Sequence, residues 1–380
     1  MHCRGIDETT EGDSARQRQS ACAGVHGVGC YTTENSATYN RKMAAAIRVV
    51  QIGLGPIGAA VARQVASRRG FQIVGAVDID PNKAGRDLGD VIELGRKLRV
   101  KVTTDIDQTL KATRPDVAVL CTGSSLKAVM PQFEAVLKRR VAIVTTTEEA
   151  AYPGPASRRL AKRLDEAARK AKVAVLATGV NPGFTMDALP IALSAVCERV
   201  DRVEVRRVQD ARIRRLPFQQ KIGAGLTAAQ FARKVEDGSV RHVGFTQSIQ
   251  MIADALGWTL DRITDDVKPV FAQKTVASEL LAVDKGYVAG IIQDGAGWVK
   301  GEPKISLRLE AYLGAPESFD SVLIEGSPRI FSKIEGGVHG DIATASITVN
   351  SIPAVIDAAP GYRTMRDMRL PSFYNGKRRG

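Results

Sequence analysis

Ile47-Arg48-Val49-Val50-Gln51-Ile52-Gly53-Leu54-Gly55-Pro56-Ile57-Gly58 is the stretch that decides the fold. A β-branched hexamer runs into Gly-x-Gly-x-x-Gly, and Ala59-Ala60-Val61-Ala62-Arg63-Gln64-Val65-Ala66 follows as a helix. Strand, glycine turn and helix in that order make a phosphate cradle. The first glycine permits the tight turn, the second lets the backbone approach a pyrophosphate, and the third packs helix on strand. The helix N-terminus then faces the phosphates.

The next strand, Phe71-Gln72-Ile73-Val74-Gly75-Ala76-Val77, ends in Asp78, 20 residues after Gly58. A carboxylate there accepts hydrogen bonds from ribose hydroxyls. Gly53, Gly55, Pro56, Ile57, Gly58 and Asp78 are therefore the expected dinucleotide contacts. The charge on Asp78 opposes a 2′-phosphate and favours NAD. Lys83 and Arg86 follow closely and would receive that phosphate, so NAD or NADP is expected.

Working outward, further strands read at 116–121, 141–144 and 173–176, with helical stretches between them. That alternation implies a parallel sheet covered on both faces, a Rossmann domain over 43–180. Beyond 180 the strands lengthen and alternate apolar with polar residues, at 203–208, 287–292 and 305–310. Helices read at Ala228–Glu236 and near 248–256. The expectation is an α/β protein whose second domain, 181–340, is α+β on an open, largely antiparallel or mixed sheet. Residues 341–380 read as a C-terminal helix and tail, with Pro353 placed to kink or end the helix.

Composition narrows the partners. The 380 residues carry a net charge of +13, and residues 1–42 hold five basic and five acidic side chains, so the excess lies in the body. Basic runs such as Lys138-Arg139-Arg140 and Arg212 to Arg215 read as solvated faces. None alternates with aromatic residues, so no nucleic acid is expected; a phosphate-rich cofactor or anionic substrate suits the charge. No apolar run approaches the ~18 residues of a membrane helix. Cys3, Cys22, Cys30, Cys121 and Cys197 make no CxxC pair, and the histidines are scattered, so no metal site is expected. Residues 1–42 lack apolar periodicity and read as a disordered extension without a secretory signal, with Met43 just before the first strand. The expected location is cytoplasmic.

Three segments carry candidate chemistry. Thr122 and Gly123 end a central strand, where ligands of such sheets sit. Thr145-Thr146-Thr147-Glu148-Glu149 ends the next one. A carboxylate there can exchange protons beside a nicotinamide. The same spacing, Thr145 with Glu148 or Thr146 with Glu149, also fits a helix capping box. Gly179-Val180-Asn181-Pro182-Gly183-Phe184 is a turn at the domain crossover, either over the nicotinamide or a plain hinge.

Taken together, GLGPIG, TTTEEAAYP, GVNPGF with Met186-Asp187, and the late GGVHGDIATA with Asn350 resemble the 2,4-diaminopentanoate dehydrogenase and native amine dehydrogenase family, relatives of dihydrodipicolinate reductase. The resemblance spans nearly all of 46–368. It implies a homodimer, with 181–340 as the substrate and dimerisation domain. It also implies NAD(P)-dependent, reversible deamination of a primary amine to a ketone and ammonia. Glu148 would be the catalytic carboxylate, with Glu149 as the alternative. Phe184 and Met186 would line the substrate pocket, and Asn181 and Asn350 would lie near the nicotinamide. Dihydrodipicolinate reductase itself is disfavoured, since its His-His-xxx-Lys pattern is absent and no two histidines here are adjacent. An imine reductase of that type and a non-catalytic NAD(P) sensor remain the alternatives.

Overall fold

The computed structural model describes residues 46–154 and 157–376. The extension expected to be disordered, 1–42, lies outside the described residues.

The first half builds a parallel sheet: β1 (Ile47–Ile52), α1 (Pro56–Ser67), β2 (Phe71–Val77), α2 (Leu88–Val91), β3 (Val102–Thr103), α3 (Ile106–Thr113), β4 (Val117–Leu120), α4 (Leu126–Lys138), β5 (Ala142–Thr145), α5 (Arg158–Ala171) and β6 (Ala174–Ala177). A second region follows with α6 (Ala188–Ser194), β7 (Arg199–Asp210), α7 (Leu216–Lys221), α8 (Ala228–Glu236), α9 (Phe245–Ala255) and β8 (Arg262–Phe271). It continues through a small β9 (Val276–Ala277) and β10 (Ala282–Val283) pair, then β11 (Val288–Val299), β12 (Glu302–Tyr312), β13 (Phe319–Ser327) and β14 (Ile330–Glu335). The chain closes with α10 (Gly340–Asp357) and β15 (Gly361–Arg363).

The first sheet runs β15-β6-β5-β4-β1-β2-β3, and every pairing in it is parallel. Both faces are covered, so β4, β5 and β6 are buried end to end and read as continuous apolar runs. Strand order reverses between β1 and β4, and the carboxyl ends of these two strands open the crevice where such folds bind ligands. α1 starts at Pro56, whose missing N–H is an orphan donor position anyway. It buries Gly58, Val61, Ala62 and Val65, one helical stripe.

The second sheet runs β14-β13-β7-β12-β11-β8 and is mixed: β7 and β12 are parallel, the rest antiparallel. One face packs Val203, Val205, Leu307 and Ile291 against Phe245, Ile249 and Ile252 of α9. Gly295 and Gly297 of β11 let α9 approach closely, since a Cβ at either would lie 2.8 Å from Phe245 or Ile249 atoms.

One expectation about the C-terminus changes. α10, with Pro353 inside it, runs to Asp357 as the helix reading has it and packs on α1 and β5, contacts that stabilise the turn the proline weakens. The segment after it is more than a tail. β15 pairs parallel with β6, so the chain returns to the Rossmann sheet and completes it. No helix among the described residues is long and apolar enough to cross a membrane.

Candidate active site

The cradle geometry assigns each glycine its task. Gly53 has φ +85°, and a Cβ there would lie 2.6 Å from the Cys121 carbonyl oxygen. A Cβ on Gly58 would meet the Gly53 carbonyl oxygen at 2.0 Å, so helix and loop touch there. Gly55, at the N-cap of α1, has open space around its Cβ direction. The structure thus leaves room at the one glycine where a pyrophosphate must approach. The residues present fit a nicotinamide dinucleotide.

Asp78 is buried at the end of β2. Its Oδ2 accepts from the Leu54 N–H at 2.6 Å, which ties it to the glycine loop, and lies 3.2 Å from Lys83 Nζ. The acid and the base that argued for different cofactors therefore form one ion pair.

A cleft of about 390 Å³ opens from this loop toward the second sheet. Gly55, Pro56, Ile57, Thr122, Gly123 and Glu148 line its Rossmann side. Burial pushes the Cys121 thiol up to about 11, so this lining residue stays protonated.

The two glutamates part company. β5 ends at Thr145 and a 3₁₀ turn, Glu148–Ala150, follows. Neither capping box forms: the turn has no side-chain cap, and Thr145 Oγ1 bonds to the Leu120 carbonyl instead. Glu149 Oε2 accepts from the Leu126 N–H at 2.8 Å and so caps α4, whose own N-cap Ser125 makes no such bond. Glu148 lines the cleft, 3.9 Å from Lys221 Nζ. Tyr152, just beyond, donates to Asp254 of α9 and anchors this turn to the second domain.

The crossover turn also reaches the cleft. Asn181, followed by a cis bond to Pro182, lines it, and Asn181 Oδ1 is buried without a partner. Asp187 holds the turn by accepting from the Gly183 and Ala188 N–H groups and from Ser248 Oγ.

Three residues named with the sequence motifs are not in the cleft wall. Met186 is fully buried in the second core, where its Sδ accepts from Asn181 Nδ2 at 2.9 Å. Phe184 is half-buried on the same turn and does not line the cleft. Asn350 lies beyond Gly340, Asp341 and Thr344, the α10 residues that do line it. Its side-chain oxygen accepts from Arg68 Nη1 at 2.6 Å and from the Tyr374 N–H, binding the C-terminal segment to α1.

The opposite wall was not read from sequence. Arg207, Gln209, Arg214, Arg215, Lys221 and His242 supply it. Arg207 is spent on Asp320 at 2.6 Å, both buried. Arg214 and Arg215 share one carboxylate, Asp341 at the start of α10, at 3.1 and 3.0 Å. The arginine run that read as a solvated face therefore turns two guanidiniums inward. Burial raises Asp341, but the two arginines outweigh it and hold its carboxyl below the usual range. Burial, reinforced by Lys221 and Arg207, holds the His242 imidazole down at about 3, so it is neutral, and its buried Nε2 has no partner. No group of three or more metal-ligating side chains occurs among the described residues.

Residues 184–380 match the family model for the 2,4-diaminopentanoate dehydrogenase C-terminal domain, and 47–178 that for the dihydrodipicolinate reductase N-terminus. The chain is 33% identical to the 2,4-diaminopentanoate dehydrogenase of Acetoanaerobium sticklandii, over 87% of this chain and 95% of that protein. The chain belongs to the 2,4-diaminopentanoate dehydrogenase family. It is also 25% identical to an amine dehydrogenase of Streptomyces virginiae, over 85% of this chain and 96% of that one. The solved amine dehydrogenase of Mycobacterium smegmatis superposes with a TM-score of 0.78 at 26% identity, covering 88% of this chain and 99% of its own. Members of this family pair a Rossmann domain with a mixed-sheet domain, as here, and the enzyme class is that of NAD(P)-dependent oxidoreductases acting on amines.

Proposed function

We infer that this amine dehydrogenase interconverts a primary amine with a ketone and ammonia, with Glu148 as its catalytic carboxylate. The observation that carries the reading is the placement of Glu148. It is the carboxylate on the Rossmann edge that faces the cleft, while Glu149 is used as a helix cap.

NAD(P), when bound, takes up or delivers the hydride. Gly53, Gly55, Pro56, Ile57 and Gly58 would hold its pyrophosphate, Asp78 its ribose, and Thr122, Gly123 and Asn181 the portion nearer the reacting carbon. Glu148 carries one proton from nitrogen to the carbonyl oxygen as ammonia adds, and passes on a second, taken from ammonium, as that oxygen leaves as water, so that ketone and ammonium give an iminium and water. Its negative charge stabilises the iminium formed on the substrate.

The cationic wall refines the substrate class. Arg214 and Arg215 together have one carboxylate partner, and Lys221 is 3.9 Å from Glu148. An amine that also carries a carboxylate would complete that charge balance better than a bare alkylamine. The curated relative acts, by its name, on a diaminopentanoate, which is such a compound.

A homodimer is part of the same reading. Away from α9, the second sheet presents a groove of about 540 Å³ where Arg206 and Arg308 bridge to Glu310 and Asp294. Alternating charge of this kind suits a two-fold contact. The nicotinamide cofactor and the free thiols of Cys121 and Cys197 fit a cytoplasmic enzyme.

The deciding experiment is NAD(P)H oxidation over a panel of ketones and oxo acids, with and without ammonium. Turnover should require ammonium and favour the oxo acids. Ketone reduction that proceeds equally without ammonium would refute the assignment.

A further inference from the structure

Behind Glu148 lies a second, much smaller space. It encloses about 40 Å³, and its walls include Thr146, Thr147, Glu148, Thr178, Asn181 and Thr344. Thr146, Glu148, Asn181 and Thr344 also line the main cleft, so the two spaces adjoin at the catalytic carboxylate. A cavity needs roughly 10–15 Å³ to hold one water, and ammonia is of the same size. A ketone or amine with a carbon chain does not fit.

Two residues of its walls each carry an unmet polar atom. Thr178 Oγ1 and Asn181 Oδ1 are buried and have no hydrogen-bond partner. Their neighbours are satisfied: Thr147 Oγ1 is bonded to Thr145, and Thr344 Oγ1 accepts from the Val180 N–H. Asn181 Nδ2 is taken by Met186 Sδ, which turns the carboxamide oxygen away from the sulfur. Buried polar atoms left unpaired are costly, so such a pair marks a place for a polar molecule.

We propose that this cavity is the ammonia site of the enzyme. The inference rests on the reaction read above. A carboxylate, an amide oxygen and a hydroxyl make a wall rich in acceptors. Ammonia offers three N–H donors where water offers two, and the carboxylate favours its protonated form as well. From here the nitrogen lone pair forms the C–N bond while the carbonyl π pair moves to oxygen. One proton passes from nitrogen to that oxygen through Glu148, giving a carbinolamine with no atom or charge left over. Deamination returns the nitrogen to the same place.

The test is steady-state kinetics with ammonium chloride varied at saturating ketone and NAD(P)H. Thr178→Val keeps the shape and removes the hydroxyl, so the ammonium KM should rise about ten-fold. The KM values for ketone and cofactor should stay put. Thr178→Ser keeps the hydroxyl and should restore the ammonium KM. A second measurement depends on a gain. Thr178→Ala widens the cavity, and methylamine should replace ammonium in that variant but not in the wild type. An ammonium KM that ignores Thr178→Val, a rise in all three KM values together, or equal methylamine use by both proteins would overturn the proposal and leave an ordered water only. If the wild type needs no ammonium at all, the reaction assignment falls and the cavity assignment with it. If ammonium is required and its KM ignores Thr178, only the cavity assignment falls.

Discussion

Glu148 and Glu149 are adjacent, chemically identical and differently placed, so on the proposed function exchanging each for glutamine should separate chemistry from stability. Glu149 accepts one backbone N–H at 2.8 Å at the first turn of α4, in place of the silent Ser125. Loss of a cap costs about 1 kcal/mol, and loss of an anion at a helix N-terminus adds about 0.3–1 kcal/mol. Glu149→Gln keeps an acceptor oxygen and loses the charge, so its cost lies at the lower end; Glu149→Ala should cost about 1–2 kcal/mol and lower Tm by a few degrees. Both variants should turn over near the wild-type rate. Glu148→Gln removes proton exchange at the cleft. Its kcat should fall roughly 10²–10⁴-fold, with Tm and cofactor Kd unchanged. Thermal melts, fluorescence titration with NADH and ammonium-dependent NAD(P)H oxidation measure all three quantities. A kcat loss confined to the Glu149 variants would transfer the catalytic role, and full turnover by Glu148→Gln would remove it from this turn.

Asp78→Asn keeps an acceptor for the Leu54 N–H, drops the charge and frees Lys83; the NADP-to-NAD preference, read from kcat/KM ratios, should rise about ten-fold or more, and an unchanged ratio would place the ribose elsewhere. Arg215→Met should raise KM for an oxo acid about ten-fold and leave that for a plain ketone unchanged, and equal effects on both would deny the guanidinium a role in substrate charge. His242 is held at about 3 when folded against 6.5 ordinarily, so the unfolded chain binds a proton between these values and the folded chain does not. Stability must then fall with pH, by about 2 kcal/mol from pH ~8 to pH ~5 for this group. Urea melts of His242→Gln should show that much less acid sensitivity, and parallel wild-type and variant curves would contradict a neutral buried imidazole.

How much of this was legible depended on whether a backbone constraint restricts the residue type. Gly53 needs a positive φ and Gly58 has no room for a Cβ, so the cradle is written in the glycines themselves. The strands around it announce themselves because a parallel sheet buries both faces. The second sheet showed in the alternation of β7, β11 and β12, whereas β15, three residues long, has no period to read. Its place is set by pairing with β6.

The cleft was half legible for a related reason. Thr122, Gly123 and Glu148 follow strand ends, and strand ends in this fold point to one edge. Which of two neighbouring glutamates enters the cleft is decided by a 3₁₀ turn and by an empty cap position on α4, more than twenty residues earlier in the chain. No local pattern holds that information. Asn350 lies off the cleft wall for the converse reason: a helix carries Thr344 and Asn350 on one segment but shows the cleft only the first of the two. The cationic wall is the hardest case. Arg214 and Arg215 leave β7 on a short turn, Lys221 ends α7 and His242 lies before α9, and they converge only because the second sheet folds against the Rossmann edge. In sequence, Arg212 to Arg215 is ordinary surface charge. Its meaning comes from Asp341, which α10 carries back across the domain boundary to hold both guanidiniums. The return of the chain that completes the first sheet thus also sets the charge of the cleft, and cutting the Asp341 tie by Asp341→Asn should loosen substrate binding before it loosens the fold.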